Sequence, residues 1–219
     1  MRQFLSPLLW HLTLTILGSS WLSVTSVRAQ QGFAPFANAS EEANVAVDGL
    51  HHAVAVADFN GDGWEDIYVA TKQAANHLFL NTGGMHFEEV AEEAGVDDPG
   101  NTNATLWADF NNDGQDDVIT LDMLPQSASR IKQMFPKTNF QFYDLLDLYK
   151  EKPQYMRNCL YVNTDNNFNE ISQLANVYNT DWSWSPLLAD FDDDGYKDLY
   201  ITNGFPRDLT DLDFINYRG

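Results

Sequence analysis

The chain has 219 residues, of which 44% are hydrophobic and 13% aromatic, so it can bury a core and is not wholly disordered. It carries 32 acidic and 12 basic residues, a net charge of -20, which argues against binding to nucleic acid or to anionic membranes. Its single cysteine, Cys159, excludes an internal disulfide framework and a cysteine-rich zinc site. So large an excess of negative charge repels itself unless cations neutralise part of it. The position of the carboxylates in the sequence is therefore the first question.

Residues 1–29 have the organisation of a secretory signal peptide. Arg2 gives a basic start, the stretch 4–24 is apolar with scattered Ser and Thr, and a cleavage site ends at Ala29. An uncleaved N-terminal anchor helix is the alternative. Cleavage would leave residues 30–219 with 10 basic and 32 acidic residues, a net charge of -22. The expected location is therefore secreted, periplasmic or at the cell surface.

The rest of the chain is internally repetitive. A ten-residue motif that begins with Phe and ends with Val occurs three times, at 36–45, 87–96 and 168–177. An acidic loop begins 22 residues after the Phe of each motif, at Asp58, Asp109 and Asp190. A constant interval is typical of repeat architectures. It defines three units, which are about 36–86, 87–167 with an insertion at 122–157, and 168–219.

Within a unit, the sequence predicts β-strands. In the first unit, apolar residues and strand formers occur in four short stretches at 53–57, 67–70, 78–80 and 87–90. Four short strands in about 50 residues match the size of a β-propeller blade. The stretch from Ala91 to Ala94 predicts one helical turn that connects two blades. The predicted fold class is all-β, a partial propeller of three blades.

The acidic loops share the pattern D-x-[DN]-x-D-G-x-x-D. Side-chain oxygens at positions 1, 3, 5 and 9 and the backbone carbonyl of position 7 can converge on one cation, and glycine at position 6 permits the left-handed turn that this requires. Hard oxygen ligands suit Ca²⁺ better than Mg²⁺, and transition metals prefer imidazole or thiolate. The candidate calcium ligands are Asp58, Asn60, Asp62, Trp64 and Asp66 in the first loop, Asp109, Asn111, Asp113, Gln115 and Asp117 in the second, and Asp190, Asp192, Asp194, Tyr196 and Asp198 in the third.

The same residues bear on two other interpretations of these loops, an EF-hand and a metal-free turn. An EF-hand needs Glu at position 12 and flanking helices, but position 12 is Val69, Thr120 or Ile201, in stretches that favour strands. Polar β-turns that hold no metal are the remaining alternative. Position 2 is always phenylalanine, and we expect this side chain to pack between blades rather than to bind metal.

The segments D-F-N-G-D-G-W-E-D-I-Y-V-A, N-H-L-F-L-N-T-G-G and F-E-E-V-A-E-E-A-G-V resemble the FG-GAP (VCBS-type) repeats of integrin-α-like β-propellers. The runs 154–158, 180–184 and 203–208 are similar to a Bacteroidota branch of secreted proteins related to cartilage acidic protein, which often carry a C-terminal ASPIC/UnbV domain. The resemblance covers about residues 34–219. It implies a non-enzymatic propeller of about seven blades that serves adhesion or surface binding. It also implies about one Ca²⁺ in each acidic loop, three in all.

Three units are fewer than the roughly four to eight blades of a closed propeller. We therefore expect the remaining blades to come from a longer chain, the alternative being that several chains close a ring together. The insertion at 122–157 holds six of the ten basic residues of the mature chain and six aromatic residues. It predicts either a binding loop for an anionic glycan or an acidic protein surface, or a lid that packs over the propeller face.

The predicted function is a secreted calcium-binding scaffold for adhesion or ligand binding, with an extracellular protein or glycan as its partner. No nucleic acid partner and no membrane span after signal cleavage are expected. The alternatives are a non-catalytic part of a calcium-dependent enzyme that acts on extracellular polysaccharide, or a structural stalk of repeats. The sequence shows no recognisable nucleophile elbow and no Gly-rich phosphate loop, so no catalytic or cofactor-binding residue is predicted.

The signal-peptide hypothesis predicts that the exported chain begins at Gln30. Intact-mass spectrometry of protein recovered from the periplasm or medium of an expressing bacterium checks this start. Because the residue at position -1 must be small, Ala29→Tyr is expected to leave an uncleaved chain in the membrane fraction. An exported chain that still begins at Met1 would contradict the hypothesis.

Overall fold

The computed structural model describes residues 37–72, 74–134, 155–204 and 217. The described residues from Ala39 onward belong to one compact unit. The predicted signal peptide at 1–29 and the part of the insertion at 135–154 lie outside the described residues. In the described part of the chain, no helix is long and apolar enough to cross a membrane.

The first sheet is an antiparallel meander of four strands in chain order. Its strands are β1 (Leu50–Ala57), β2 (Asp66–Lys72), β3 (His77–Asn81) and β4 (Phe87–Glu89). The first acidic loop joins β1 to β2. The short helix α1 (Ala91–Ala94) follows β4 and ends at Gly95, whose φ of 82° is left-handed. The Ala-Glu-Glu-Ala stretch thus forms the helical turn that the sequence predicted.

The second sheet repeats this topology with the order β5-β6-β8-β9. Its strands are β5 (Ala104–Ala108), β6 (Asp117–Leu121), β8 (Cys159–Thr164) and β9 (Asn167–Glu170). The insertion lies between the second and third strands of this sheet, so it interrupts a connection and not a strand. The prediction of an all-β fold is confirmed, and the structure shows that the sheets are antiparallel.

The third sheet has the order β11-β10-β7. Its strands are β7 (Met123–Leu124), β10 (Asp181–Ala189) and β11 (Asp198–Asn203). Because β7 belongs to the start of the insertion, that segment is attached to the sheet that follows it. The helix α2 (Ala128–Met134) strengthens the attachment, since the Arg130 guanidinium donates two hydrogen bonds to the Asp181 carboxylate, the longer of them 3.2 Å.

The Phe-to-Val motif forms the same turn wherever the structure describes it. The backbone N–H of its final valine donates to the carbonyl five residues earlier at 2.9 Å in all three copies, ending at Val45, Val96 and Val177. The residue before each valine is left-handed, with φ of 61° at Asn44, 82° at Gly95 and 58° at Asn176. Asn and Gly tolerate this conformation, which explains why only these two types occupy the position.

The three sheets stack face to face. We call the face of a sheet that carries the position-2 phenylalanine its leading face and the opposite face its trailing face. The leading face of the first sheet packs on the trailing face of the second, where Phe59 stacks on Trp107 with ring centroids 6.0 Å apart and Tyr68 meets Trp107 edge-on at 5.9 Å. Phe168 completes this aromatic cluster at 5.7–5.8 Å from Trp107 and Phe59.

The leading face of the second sheet packs on the third sheet in the same way. Ile119, Leu121 and Leu160 are buried there against partly buried Leu199 and Ile201. Position 2 of the loops therefore has three environments, since Phe59 is buried, Phe110 is partly buried and Phe191 is exposed. The prediction that these phenylalanines pack between sheets is correct for the first two and wrong for Phe191, because the leading face of the third sheet is open to solvent.

The repeat provides a matched test of this packing. Phe59→Ala removes a ring from the centre of the aromatic cluster and is expected to destabilise the protein by about 3–5 kcal/mol. Phe191→Ala changes the equivalent residue on an exposed face and should cost less than about 1 kcal/mol. Urea unfolding followed by circular dichroism measures both. Equal losses for the two variants would contradict the packing described here.

Candidate metal loops

The three acidic loops have one conformation, set by the aspartate at position 1. Its two carboxylate oxygens accept the backbone N–H groups of positions 5 and 6. The paired N···O distances are 3.0 and 2.8 Å at Asp58, 3.1 and 2.9 Å at Asp109, and 3.1 and 2.9 Å at Asp190. The loop backbone is thereby curled around this carboxylate in each copy.

Positions 3 and 5 add the next hydrogen bonds. The position-5 N–H also donates to the side-chain oxygen of position 3, which is Asn60, Asn111 or Asp192, at 2.9–3.2 Å. The position-5 carboxylate in turn accepts the N–H of position 7 at 2.8 Å in every loop. Asn and Asp both offer the acceptor oxygen that this contact needs, but only Asn60 and Asn111 also donate, to the carboxylates of position 5 at 2.9 and 2.8 Å.

Two residues of each loop are left-handed. The predicted one is the position-6 glycine, with φ of 87–90° in the three loops. The second is position 4, occupied by Gly61, Asn112 and Asp193 with φ of 72°, 59° and 59°. Gly, Asn and Asp are the residue types that adopt this region most readily, so the composition of position 4 was a signal that our sequence analysis did not use.

The position-9 aspartates of the first two loops are buried and bonded to the backbone on two sides. Asp66 accepts the N–H of Phe59 at 3.2 Å and that of Asn81 at 2.7 Å. Asp117 accepts the N–H of Phe110 at 3.0 Å and that of Asn163 at 2.8 Å. Burial raises the pKa of Asp66 to about 6 and also raises the pKa of Asp117, against the lowering effect of these N–H donors. Position 9 thus ties the loop to the third strand of its sheet.

The partners of position 9 are two asparagines, Asn81 and Asn163, to which the sequence analysis assigned no role. Asn81 donates from its side-chain amide to the carbonyl of Glu65 at 3.0 Å, and Asn163 donates to that of Asp116 at 3.2 Å. Each asparagine therefore holds the last turn of a loop through its backbone and its side chain. Asn163 also donates to the carbonyl of Phe59 at 2.9 Å, which joins the second sheet to the first loop.

In the third loop, three carboxylates converge. Asp190, Asp192 and Asp194 each offer an oxygen, and these oxygens lie within 4.8 Å of one another. All three side chains are exposed, and they make the same backbone contacts as their counterparts in the other loops. Asp198 is not in this group, and one of its carboxylate oxygens accepts the N–H of Phe191 at 3.0 Å.

The loops are neighbours at one end of the stacked sheets. The Asn112 side chain of the second loop donates to the carbonyl of Gly195 in the third at 3.0 Å. The pKa of Asp116 in the second loop is raised, mainly by burial. The cation of Lys197, from the third loop, lowers this pKa, and the negative charge of Asp58, from the first loop, raises it. Negative charge is therefore concentrated at this end of the stacked sheets, and the atoms there that could coordinate a cation are oxygens.

Comparison with known proteins agrees with this architecture. Residues 38–120 match the family model of the FG-GAP-like repeat. The match spans the first sheet, the first two acidic loops and the turn that connects the first two repeats. It supports an FG-GAP repeat protein with a β-propeller-type scaffold. No curated protein matches the chain.

A third buried carboxylate, Asp122, lies outside the loops, just after β6. Asp122 accepts the N–H of Asn101 at 2.7 Å and that of Met123 at 2.6 Å, while its own N–H donates to the Asn158 side chain at 2.9 Å. It is almost fully buried, and burial raises its pKa from 3.8 to about 6. The ionised form is therefore disfavoured in the folded protein relative to the unfolded chain.

This shift predicts a pH-dependent term in stability. Because the folded pKa lies above the unfolded one, Asp122 costs nothing below about pH 4 and destabilises the fold progressively as the pH rises to about 6. Asp122→Asn removes the term, so its stability relative to wild type should improve by up to about 3 kcal/mol between pH 4 and pH 6.5. Urea unfolding of both proteins across this range measures the difference, and a difference that does not vary with pH would contradict it.

Proposed function

We propose that the chain is a secreted, calcium-stabilised β-propeller repeat protein, related to the ASPIC/UnbV-associated group of bacterial proteins, that acts as a scaffold for adhesion or ligand binding and not as an enzyme. Each stacked sheet with its acidic loop represents one blade in this proposal. The observation that carries it is the threefold recurrence of one loop conformation. In the third copy, carboxylate oxygens of Asp190, Asp192 and Asp194 lie within 4.8 Å of one another.

The donor set supports calcium as the cation. The loop ligands proposed at positions 1, 3, 5, 7 and 9 are all oxygen atoms, and the loops contain no histidine or cysteine. Calcium accepts six to eight oxygens in flexible geometry, whereas magnesium requires a tight octahedron and retains its waters. The exposed position of Asp190, Asp192 and Asp194 suits a site that exchanges its ion with solvent.

Electrostatics gives the cation a structural role. Unit charges of one sign about 4 Å apart repel by about 1 kcal/mol in water and by more near a protein surface. The backbone N–H groups offset part of this repulsion at position 1, and a bound Ca²⁺ converts the remainder into attraction. Since each loop joins two hydrogen-bonded neighbouring strands of a sheet, the ion would hold these strands together. It would not supply catalytic chemistry in this proposal.

The scaffold role is supported by the arrangement of rigid stacked sheets that carry loops at their edges. The stacked sheets are fixed by aromatic packing, and binding residues on such rigid frameworks are usually carried by loops. The partner we propose is an extracellular protein or glycan. The described start of the insertion is attached to the third sheet through β7 and Arg130, so a recognition loop would be presented from a fixed base.

Calcium is expected to raise the melting temperature of the chain. At ten times the dissociation constant, each site adds about 1.4 kcal/mol, or about 4 kcal/mol for three independent sites. Calorimetric scans in chelator and in millimolar Ca²⁺ measure the shift, and titration calorimetry measures the stoichiometry. Asp194→Asn is expected to reduce the stoichiometry from about three to about two and to remove about a third of the stabilisation.

The chain supplies a matched control in the same loop. Asp193 occupies position 4, where the second loop has Asn112 with the same φ of 59°, so Asp193→Asn removes one charge without disturbing the backbone. It should retain the wild-type stoichiometry. If calcium leaves the melting temperature of wild type unchanged, or if the two variants lose calcium equally, the proposed role of the loops is wrong.

A further inference from the structure

A hydrogen bond joins the second and third acidic loops, and its donor lies at a position without a predicted role. The side-chain amide of Asn112, at position 4 of the second loop, donates to the backbone carbonyl of Gly195, at position 6 of the third, at 3.0 Å. The two residues are 83 positions apart in the chain, so the bond depends on the stacking of the second and third sheets. The first loop has no counterpart of this donor, because Gly61 occupies position 4 there.

The acceptor belongs to a peptide unit that holds the third loop in shape. The carbonyl of this unit, from Gly195, accepts the amide of Asn112. Its N–H, from Tyr196, donates to the Asp194 carboxylate at 2.8 Å. Because hydrogen bonds in a chain polarise one another, the bond at the carbonyl strengthens the N–H as a donor. The contact from the second loop thus helps to orient Asp194, one of the three carboxylates that converge in the third loop.

The donor is positioned by the second loop. Asn112 is left-handed with φ of 59° and lies between Asn111 and Asp113, two of the proposed calcium ligands. The peptide N–H that follows it donates to the Asn111 side chain at 2.9 Å and to the Asp109 carboxylate at 3.1 Å. The curled conformation of the second loop therefore fixes the backbone from which the Asn112 side chain reaches the third loop.

We propose that this bond couples the two loops, so that Ca²⁺ held in one raises the calcium affinity of the other. The inference rests on the calcium-binding function proposed above. The bond needs both loops to be curled, since donor and acceptor each depend on the curl of their own loop. A cation that keeps one loop curled against the repulsion of its carboxylates therefore favours the same conformation in the other loop, and the effect is reciprocal. Coupling changes the calcium concentration at which each loop fills, and not the number of ions bound.

Charge acts between the same two loops with the opposite sign. Cations in neighbouring loops repel each other, so electrostatics alone makes the second ion bind less tightly than the first. Salt screens this repulsion, with a Debye length of about 8 Å at physiological ionic strength, whereas a hydrogen bond between adjoining loops is much less affected. The contribution of Asn112 can therefore be separated from that of charge.

NMR after selective ¹⁵N-glycine labelling reports each loop separately while the full chain is titrated with CaCl₂. The position-6 glycine N–H donates to the position-1 carboxylate in every loop. The amide signals of Gly63, Gly114 and Gly195 therefore follow the first, second and third loops. The calcium concentration at the midpoint of each signal measures the affinity of that loop.

Substitutions at position 4 isolate the bond. Asn112→Gly and Asn112→Asp both remove the amide donor, and each leaves a residue type that another loop carries at this position with positive φ, as at Gly61 and Asp193. Asp194→Asn impairs the third loop and is expected to raise the midpoint at Gly114. The rise should be about two- to tenfold larger with Asn112 present than in either position-4 variant, because this is the factor that one ordinary hydrogen bond supplies.

Reciprocity supplies an independent check. Asp113→Asn impairs the second loop and should raise the midpoint at Gly195 by the same excess factor. This factor should persist when NaCl is raised from about 0.1 to about 0.5 M, since it does not arise from charge. Asn112→Gly alone should leave the midpoint at Gly63 unchanged, because the first loop does not share the bond.

The outcomes separate this coupling from the calcium function on which it rests. If Asp194→Asn shifts the midpoint at Gly114 equally with and without the Asn112 amide, the coupling is wrong and the calcium function stands. If CaCl₂ moves none of the three glycine signals in the wild-type chain, both are wrong. Circular dichroism verifies that each variant is folded, and the two position-4 variants must agree with each other.

Discussion

The fold depends on a carboxylate at the start of each acidic loop that gathers the loop backbone around itself. Asp58, Asp109 and Asp190 each accept two consecutive backbone N–H groups, and the bond lengths agree to within 0.1 Å among the three copies. These bonds are local, since they join residues four and five apart, so the loop can form in each repeat separately. The same curl collects the other carboxylates near one point, which creates both the repulsion and the proposed use for a cation.

A second set of contacts transmits the loop geometry to the sheets. The buried carboxylates of Asp66 and Asp117 accept an N–H from their own loop and one from the third strand, where Asn81 and Asn163 return a bond to the loop. A buried charge is tolerated in such a place only when its hydrogen bonds are satisfied. The side chain of Asn163 reaches across to Phe59 as well, so loop position and sheet stacking are set together.

Stacking gives the array its direction. Each sheet has a leading face with the position-2 phenylalanine and a trailing face that receives it, and the two faces differ in composition. Among the described residues, no other sheet packs on the leading face of the third sheet or on the inner part of the trailing face of the first. Phe191 and Val56 are therefore exposed.

Much of the local structure was predictable from the sequence because it depends on short-range chemistry. The strand stretches, the helical turn at Ala91–Ala94 and the left-handed glycines follow from alternation, from the repeat interval and from steric limits on φ. Position 4 of the loops was missed although Gly61, Asn112 and Asp193 carried the signal. The metal ligands remain a prediction, since the hydrogen bonds show how the oxygens are arranged and not which ion they bind.

The sequence by itself determined the repeat, the strands and the identity of the acidic loops, because each of these is encoded within about ten neighbouring residues. Only the tertiary structure decided which copies of a repeated residue are buried. Phe59 and Phe191 occupy the same position of the same motif, yet one lies in a core and the other faces solvent. Burial is a property of what packs against a residue, and a repeating sequence assigns the same residue to both situations.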